Sequence, residues 1–357
     1  MTRKLRVGIL GATGMVGQRF IQLLENHPQF EISALAASDR SQGKPFAQAC
    51  TWRLPTPMPD AVKSVLVQPP NPPLDCDFVF SSLPGDLARE IEESFAVAGY
   101  PVISNSSAFR MDADVPLLIP EVNHTHLGLL EVQKKRFTSG GFIVTNPNCS
   151  TIMLALALAP LHFDIGVRTV AATTMQAVSG AGYPGVASLD ILDNLLPFIA
   201  GEEEKIEQET LKILGAVKPN QIDPAPMKVS AQCHRVNVSD GHFAAVRVIF
   251  ARDVKLSEVI ESLSSFTSLP QQLQLHSAPR NIIIVRDEPD RPQPRLDRDA
   301  GGGMSISVGR VMPDSVFDYR FVVLSHNTIR GAAGAAILNA ELLEAQGKFN
   351  RLLDSRS

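Results

Sequence analysis

The stretch Asn146-Pro147-Asn148-Cys149-Ser150-Thr151 sets a cysteine between polar residues, where a short apolar strand at 142–145 hands over to an apolar helix. A thiol at a helix N-terminus feels the positive end of the backbone dipole, which favours its thiolate. First-turn N–H groups there could also receive a developing oxyanion. The chemistry this setting suits is nucleophilic attack on a carbonyl. Cys50, Cys76 and Cys233 lack the setting and read as small buried apolar residues. The four cysteines form no CxxC pair and no zinc-type spacing, so no metal is expected.

A thiol nucleophile usually needs a base. The chain has eight histidines, and no local spacing selects one. His242 opens a β-run after the turn Ser239-Asp240-Gly241, with Arg235 shortly before it. It is one candidate, although a lone histidine after a turn is more often a solvated surface group.

A second constellation lies near the N-terminus. Gly8-x-x-Gly11-x-x-Gly14-x-x-Gly17 falls between a predicted strand at 5–10 and a predicted helix at 15–26. Glycines there allow a tight turn and close approach of the backbone to a pyrophosphate, and the helix start offers free N–H groups. Gly11, Thr13, Gly14, Met15 and Val16 are the candidate contacts. After the second strand, expected at 30–37, stands Ser38-Asp39-Arg40-Ser41. The two hydroxyls and the guanidinium of Ser38, Ser41 and Arg40 suit a ribose 2′-phosphate, which favours NADP, whereas Asp39 argues for NAD.

These residues need a frame. Strand–helix–strand rhythm at 5–37, resumed by a strand at 78–81, a helix at about 86–98 and strands at 102–104 and 142–145, predicts a parallel Rossmann-like sheet. A further strand is predicted at 62–67 inside a proline-rich stretch. From about residue 168 longer β-branched runs, at 168–177, 227–238, 242–250 and 315–324, predict a second, mainly antiparallel sheet in an α+β domain. The segment 287–298, charged and proline-rich, is expected to be an exposed loop. The Gly/Ala-rich helical segment 327–344 is expected to pack back on the first domain. The division is therefore 1–150 with 328–357 as the dinucleotide-binding domain, and 151–327 as the catalytic and dimerisation domain.

With 357 residues, 44% hydrophobic and 20% charged, the chain can bury full cores without staples. A net charge of -4 gives no footprint for nucleic acid or an anionic membrane. The longest apolar stretch, 152–161, is about half of what a bilayer requires, and the start is a poor signal peptide. A reducing, cytoplasmic setting is expected.

Taken together the motifs resemble the aspartate-semialdehyde dehydrogenase family. The resemblance is carried by GATGMVG at 11–17, SNSSAFRMDADVPLLIPEVN at 104–123, NPNCST at 146–151 and QAVSGAGYPG at 176–185. It continues through GEEEK at 201–205, RVNVSDGH at 235–242 and NTIRGAAGAAILNAELL at 327–343. GEEEK and RVNVSDGH look closer to the archaeal and fungal branch, SNSSAFRMD to the common bacterial form.

The resemblance implies NADPH-dependent reduction of L-aspartyl-4-phosphate to aspartate semialdehyde and phosphate, in biosynthesis of lysine, methionine and threonine. Cys149 would form the thioacyl intermediate, His242 would be the acid/base, and Gln176 would orient the acyl group. Arg235 would hold the substrate α-carboxylate and Glu202 its ammonium, with the choice among the three adjacent glutamates open by one position. Arg110 and Lys205 would bind phosphate, Asn148 would stand beside the substrate, and Ser81, Ser82, Ser179, Gly180 and Asn327 would line the nicotinamide half. A homodimer or homotetramer is implied. Two alternatives are a malonyl- or succinyl-coenzyme A reductase on the same frame, and a non-catalytic NADP-binding sensor.

Overall fold

The computed structural model describes residues 3–349. Six strands form the first sheet: β1 (Leu5–Leu10), β2 (Phe30–Ala36), β3 (Val67–Gln68), β4 (Phe78–Ser81), β5 (Pro101–Ser104) and β6 (Phe142–Thr145). All pair in parallel, in the order β3-β2-β1-β4-β5-β6. β4, β5 and β6 are buried along their whole length, as a parallel sheet covered on both faces requires. Helix α1 (Met15–Leu24) turns Phe20, Ile21 and Leu24 inward, and α2 (Gly85–Val97) covers the sheet with Ala88, Phe95 and Ala96. The strand order reverses between β1 and β4, whose paired last residues are Leu10 and Ser81. Ligands of doubly wound sheets bind at the carboxyl end of such a switch point.

Helix α3 (Cys149–Asp164) starts at the carboxyl end of the first sheet and runs into the second core, buried from Ser150 to Leu161. A seven-stranded sheet packs against it, in the order β13-β14-β15-β12-β7-β11-β8. Its strands are β7 (Val167–Gln176), β8 (Leu195–Leu196), β11 (Lys228–Val236), β12 (His242–Phe250), β13 (Ile283–Arg286), β14 (Ile306–Pro313) and β15 (Tyr319–Ser325). A small hairpin, β9 (Ala216–Val217) with β10 (Ile222–Asp223), stands apart. Helices α4 (Glu202–Ile213) and α5 (Leu256–Ser264) complete the layer. The sheet is mixed. β12 lies antiparallel to β7 and β15, while β11 runs parallel to β7 and β13 parallel to β14. The parallel β7–β11 pair follows from α4 in the connection, since a parallel return needs a long crossover.

The chain then returns through a π-helical turn, Ile329–Ala333, into α6 (Gly334–Ala345). Ile337, Leu338, Leu342 and Leu343 join the core formed by β1, β2 and α1, as the small-residue pattern leads one to expect. Residues 350–357 of the expected first domain lie outside the described residues. No helix among the described residues is long and apolar enough to cross a membrane.

Four expectations are corrected. The strand expected at 62–67 begins only at Val67, as β3, because Asp60–Lys63 is a helical turn closed by an Asp60–Lys63 ion pair at 2.5 Å. Helix α1 stops before 26, where Asn26 takes a left-handed φ of 60. The strand expected from 315 begins at Tyr319, because Asp314 accepts the N–H groups of Val316 and Phe317 and closes a turn. The loop 287–298 is exposed at 287–290 as expected but anchored at its end, since Asp297 is buried, accepts the Gln293 N–H at 2.7 Å and pairs with Arg286 and Arg291.

Candidate active site

Helix α3 is apolar on every face, so its N-terminus is held rigidly. Asn148 caps it, its Oδ1 accepting from the N–H groups of Ser150 at 2.8 Å and Thr151 at 3.1 Å. Those two groups are satisfied by the chain itself and are not free for an oxyanion, contrary to the expectation. Gly331 of the π-turn packs behind the cysteine, where a Cβ would come within 2.7 Å of the Cβ of Cys149.

His242 opens β12 after Gly241, whose N–H donates to Asn327 Oδ1 at 2.9 Å. The register of β12 between β7 and β15 turns the imidazole toward α3, and Nε2 lies 3.1 Å from the Sγ of Cys149. The Ala177 N–H donates to Nδ1 at 3.1 Å. That donor fixes Nδ1 as an acceptor, so the neutral ring carries its proton on Nε2, facing sulfur. Burial pushes the imidazole down to about 3, helped by Arg235 and His326. Burial also pushes the thiol up to about 12, reinforced by Glu202 and opposed by Arg110, Arg235 and the Ser150 N–H. The resting pair is a thiol beside a neutral imidazole, although the cysteine keeps partial access to a cavity of about 470 Å³. Burial raises the Cys50 and Cys233 thiols to about 11, which fits inert packing residues.

Around this pair the second sheet sets its polar groups. Arg235, six per cent exposed, donates from Nη1 to the Ala177 carbonyl at 2.9 Å. Gly180 lies against both Arg235 and His242. Glu202, buried at the start of α4, accepts from Asn148 Nδ2 at 2.8 Å. Of the three glutamates it is the one that faces the nucleophile's cap, since Glu203 accepts the Cys233 N–H and Glu204 is exposed. Lys205 stands 4.0 Å from Glu202 and is 40% exposed. Arg110 lines the same cavity as Cys149 and Asn148. Gln176 ends β7 opposite Arg235, but it is buried, donates to Thr174 Oγ1 at 3.3 Å and does not line the cavity.

The same cavity reaches the dinucleotide turn. Met15, Val16, Ser82, Ser179, Gly180 and Asn327 line it, and Thr13 and Gly14 line an adjoining space of about 480 Å³. Gly11 has φ +80 with Ser82 against it, and a Cβ on Gly17 would strike the Gly11 carbonyl at 2.3 Å. Gly14 caps α1 without a side chain, which leaves the first-turn N–H groups open to an anion. This cradle fits a dinucleotide. Asn327 Nδ2 donates to Ser179 Oγ at 2.8 Å, joining two of the expected contacts. Ser38, Arg40 and Ser41 follow β2 in a turn away from these cavities, Ser38 and Arg40 exposed and Ser41 buried. Of the expected pair Ser81 and Ser82, Ser82 lines the cavity, whereas the Ser81 side chain is fully buried beside Glu92.

Three features escaped the sequence reading. The Ala177 N–H has no sequence signal at all. Arg53 stacks on the Tyr183 ring at 3.7 Å across the mouth of the cleft, a contact between segments far apart in the chain. Glu209 and Lys212 extend the row begun by Glu202 and Lys205, and helical spacing alone could have found them.

The sequence matches the semialdehyde dehydrogenase NAD-binding domain over residues 6–130 and the semialdehyde dehydrogenase dimerisation domain over residues 158–330. It is 57% identical over 338 residues to an aspartate-semialdehyde dehydrogenase of Archaeoglobus fulgidus, covering 94% of this chain and 97% of the relative. It is 47% identical over 358 residues to one of Candida albicans, covering 96% and 98%. A crystal structure of the Candida albicans aspartate semialdehyde dehydrogenase with NADP superposes with a TM-score of 0.89 at 45% identity, over 97% of this chain and 100% of that one. With that identity spanning both domains and the paired thiol and imidazole between them, the chain belongs to the aspartate-semialdehyde dehydrogenase family.

Proposed function

We propose that the protein reduces L-aspartyl-4-phosphate to aspartate 4-semialdehyde with release of inorganic phosphate, through a thioester on Cys149. The observation that carries this reading is the 3.1 Å approach of Sγ to Nε2 of His242 beside a cavity continuous with the dinucleotide turn. Gly11, Thr13, Gly14, Met15 and Val16 would hold the pyrophosphate, and Ser38, Arg40 and Ser41 the 2′-phosphate of NADP. Bound NADPH supplies the hydride.

Sulfur attacks the acyl carbon, the C–S bond forms, and the bond to the phosphate oxygen breaks. The thiol's proton leaves with the phosphate, whose oxygens are bases already in the site. The Nε2–H of His242 meets the acyl oxygen as a donor, first as the thioester forms and again as the thioester becomes a thiohemiacetal. The C–S bond then breaks to give the aldehyde, and the sulfur regains a proton from water. Arg235 would take the α-carboxylate with its planar fork, and Glu202 the ammonium group. Arg110 and Lys205 would grip the phosphate, and Gln176 would act from behind the acyl group.

The domains divide at 150/151 and 327/328 in this reading. The protein works as a homodimer or homotetramer, supported by the exposed apolar row Tyr183, Leu189, Leu192 and Phe198. A cytoplasmic setting is our reading of the cysteine pattern, which has no CxxC pair and no zinc-type spacing. The deciding assay follows NADP reduction by aspartate semialdehyde with and without inorganic phosphate. Turnover strictly dependent on phosphate is expected. Turnover without phosphate, or with malonyl-CoA and NADPH instead, would overturn the reading.

A further inference from the structure

One face of α4 carries Glu202, Lys205, Glu209 and Lys212, spaced by three and four residues so that all four fall on one stripe. The first two belong to the substrate site already described. The last two reach across to the first domain. Glu209 is two per cent exposed, and its carboxylate does two things at once. Oε1 accepts from Arg110 Nη1 at 2.9 Å, and Oε2 accepts the backbone N–H of Asn148 at 2.7 Å. One turn further on, the ammonium of Lys212 donates to the carbonyls of Arg110, Asp112 and Val115 at 2.7, 2.8 and 2.9 Å. Arg110 Nη2 is held by the Asn105 carbonyl at 2.7 Å.

We propose that Glu209 is a positioning residue that yokes Arg110 to the Pro147–Asn148 peptide, one residue before Cys149, so that the phosphate-gripping guanidinium and the nucleophile keep one register, with Lys212 fixing the loop that carries Arg110. The carboxylate suits this task because it has two acceptor oxygens and no donor, and both of its partners are donors. It also balances the charge of a buried guanidinium, which would otherwise be costly. The role extends the reading in which Arg110 binds phosphate and rests on it. Glu209 touches neither sulfur nor the cavity, so its effect must pass through Arg110 and Asn148.

The test is Glu209→Gln, beside Arg110→Lys and the double variant, measured as phosphate-dependent NADP reduction. An amide has one acceptor oxygen and cannot satisfy both donors. The KM for inorganic phosphate is expected to rise by about 10- to 100-fold, the range for losing a hydrogen bond to a charged group. The KM for aspartate semialdehyde and the affinity for NADPH are expected to stay within about threefold. The double variant should be no worse than Arg110→Lys alone, as for two groups acting through one contact. A direct readout is phosphate protection of Cys149 against iodoacetamide, which needs no turnover and should weaken by the same factor.

An unchanged phosphate KM in Glu209→Gln, with Arg110→Lys impaired, would sink the yoke alone. An unchanged phosphate KM in Arg110→Lys would sink the phosphate role of Arg110 itself. Equal loss for phosphate, semialdehyde and NADPH would reduce Glu209 to a packing residue. If Glu209→Gln does not fold, Glu209→Asp replaces it: the shorter side chain keeps both oxygens but cannot span both donors, and the same selective rise in phosphate KM is required.

Discussion

Two helices start at the carboxyl end of the same sheet, and they treat their first-turn N–H groups in opposite ways. Helix α1 begins at Gly14, which has no side chain to offer, and its amides stay open. Helix α3 begins at Asn148, whose side chain takes the N–H groups of Ser150 and Thr151. An open N-terminus is a site for a mobile anion. A closed one is a fixed platform, and what it presents is the residue at its tip, here Cys149. In the proposed function the same backbone feature would serve a diffusible dinucleotide in one place and a covalent nucleophile in the other, with the capping residue deciding which.

The largest effect should come from the tip of α3. Cys149→Ala is expected to lower turnover by on the order of 10⁴-fold or more while NADPH still binds, measured by initial rates and fluorescence titration. A variant with near wild-type rate would remove the thioester from the account. His242→Asn should follow, with a loss of about 10²- to 10⁴-fold in kcat and little change in NADPH affinity.

Gly14→Asp should convert the open terminus into a closed one. Its new carboxylate would cap α1 and repel the pyrophosphate, weakening NADPH by about 10- to 100-fold without lowering the melting temperature beyond a few degrees. The Cβ would stand 3.3 Å from the Gly11 carbonyl, a contact that small shifts can absorb. Unaltered NADPH binding would mean that the anion sits elsewhere.

The smallest effect is one of pH, and it belongs to the closed site. His242 is held well below its usual 6.5, at about 3, by burial and Arg235. Between those values the unfolded chain binds a proton that the folded one refuses, so stability is lost as pH falls below 6.5. Comparing chemical denaturation at pH 7 and pH 5, the wild type should lose about 1–2 kcal/mol more than His242→Asn. Parallel losses would show that the ring is not held neutral by its surroundings.

Several of the candidate residues stand out in the sequence because their settings are local. The glycines of the first turn and the polar bracket around Cys149 are patterns of a few residues; His242, at the start of a β-run with Arg235 shortly before it, was singled out only by the family resemblance. Ser81 ends β4, which is buried along its whole length, and the sequence of so short a strand does not tell whether its hydroxyl faces the cavity or Glu92. The strand expected at 62–67 starts late because Asp60 and Lys63, three apart and paired, close a helical turn ahead of it that the β-branched content did not reveal.

From the amino acids alone came the candidate nucleophile and the dinucleotide turn, since each depends on neighbours within a turn or two of chain. Only the tertiary structure brought His242 to Cys149, 93 positions away, because that meeting depends on the register of β12 between β7 and β15. A slip of one residue there would turn the imidazole to the other face of the sheet. The double use of Glu209 and the Ala177 N–H on Nδ1 are likewise tertiary: long-range geometry selects one partner among many that the sequence would allow.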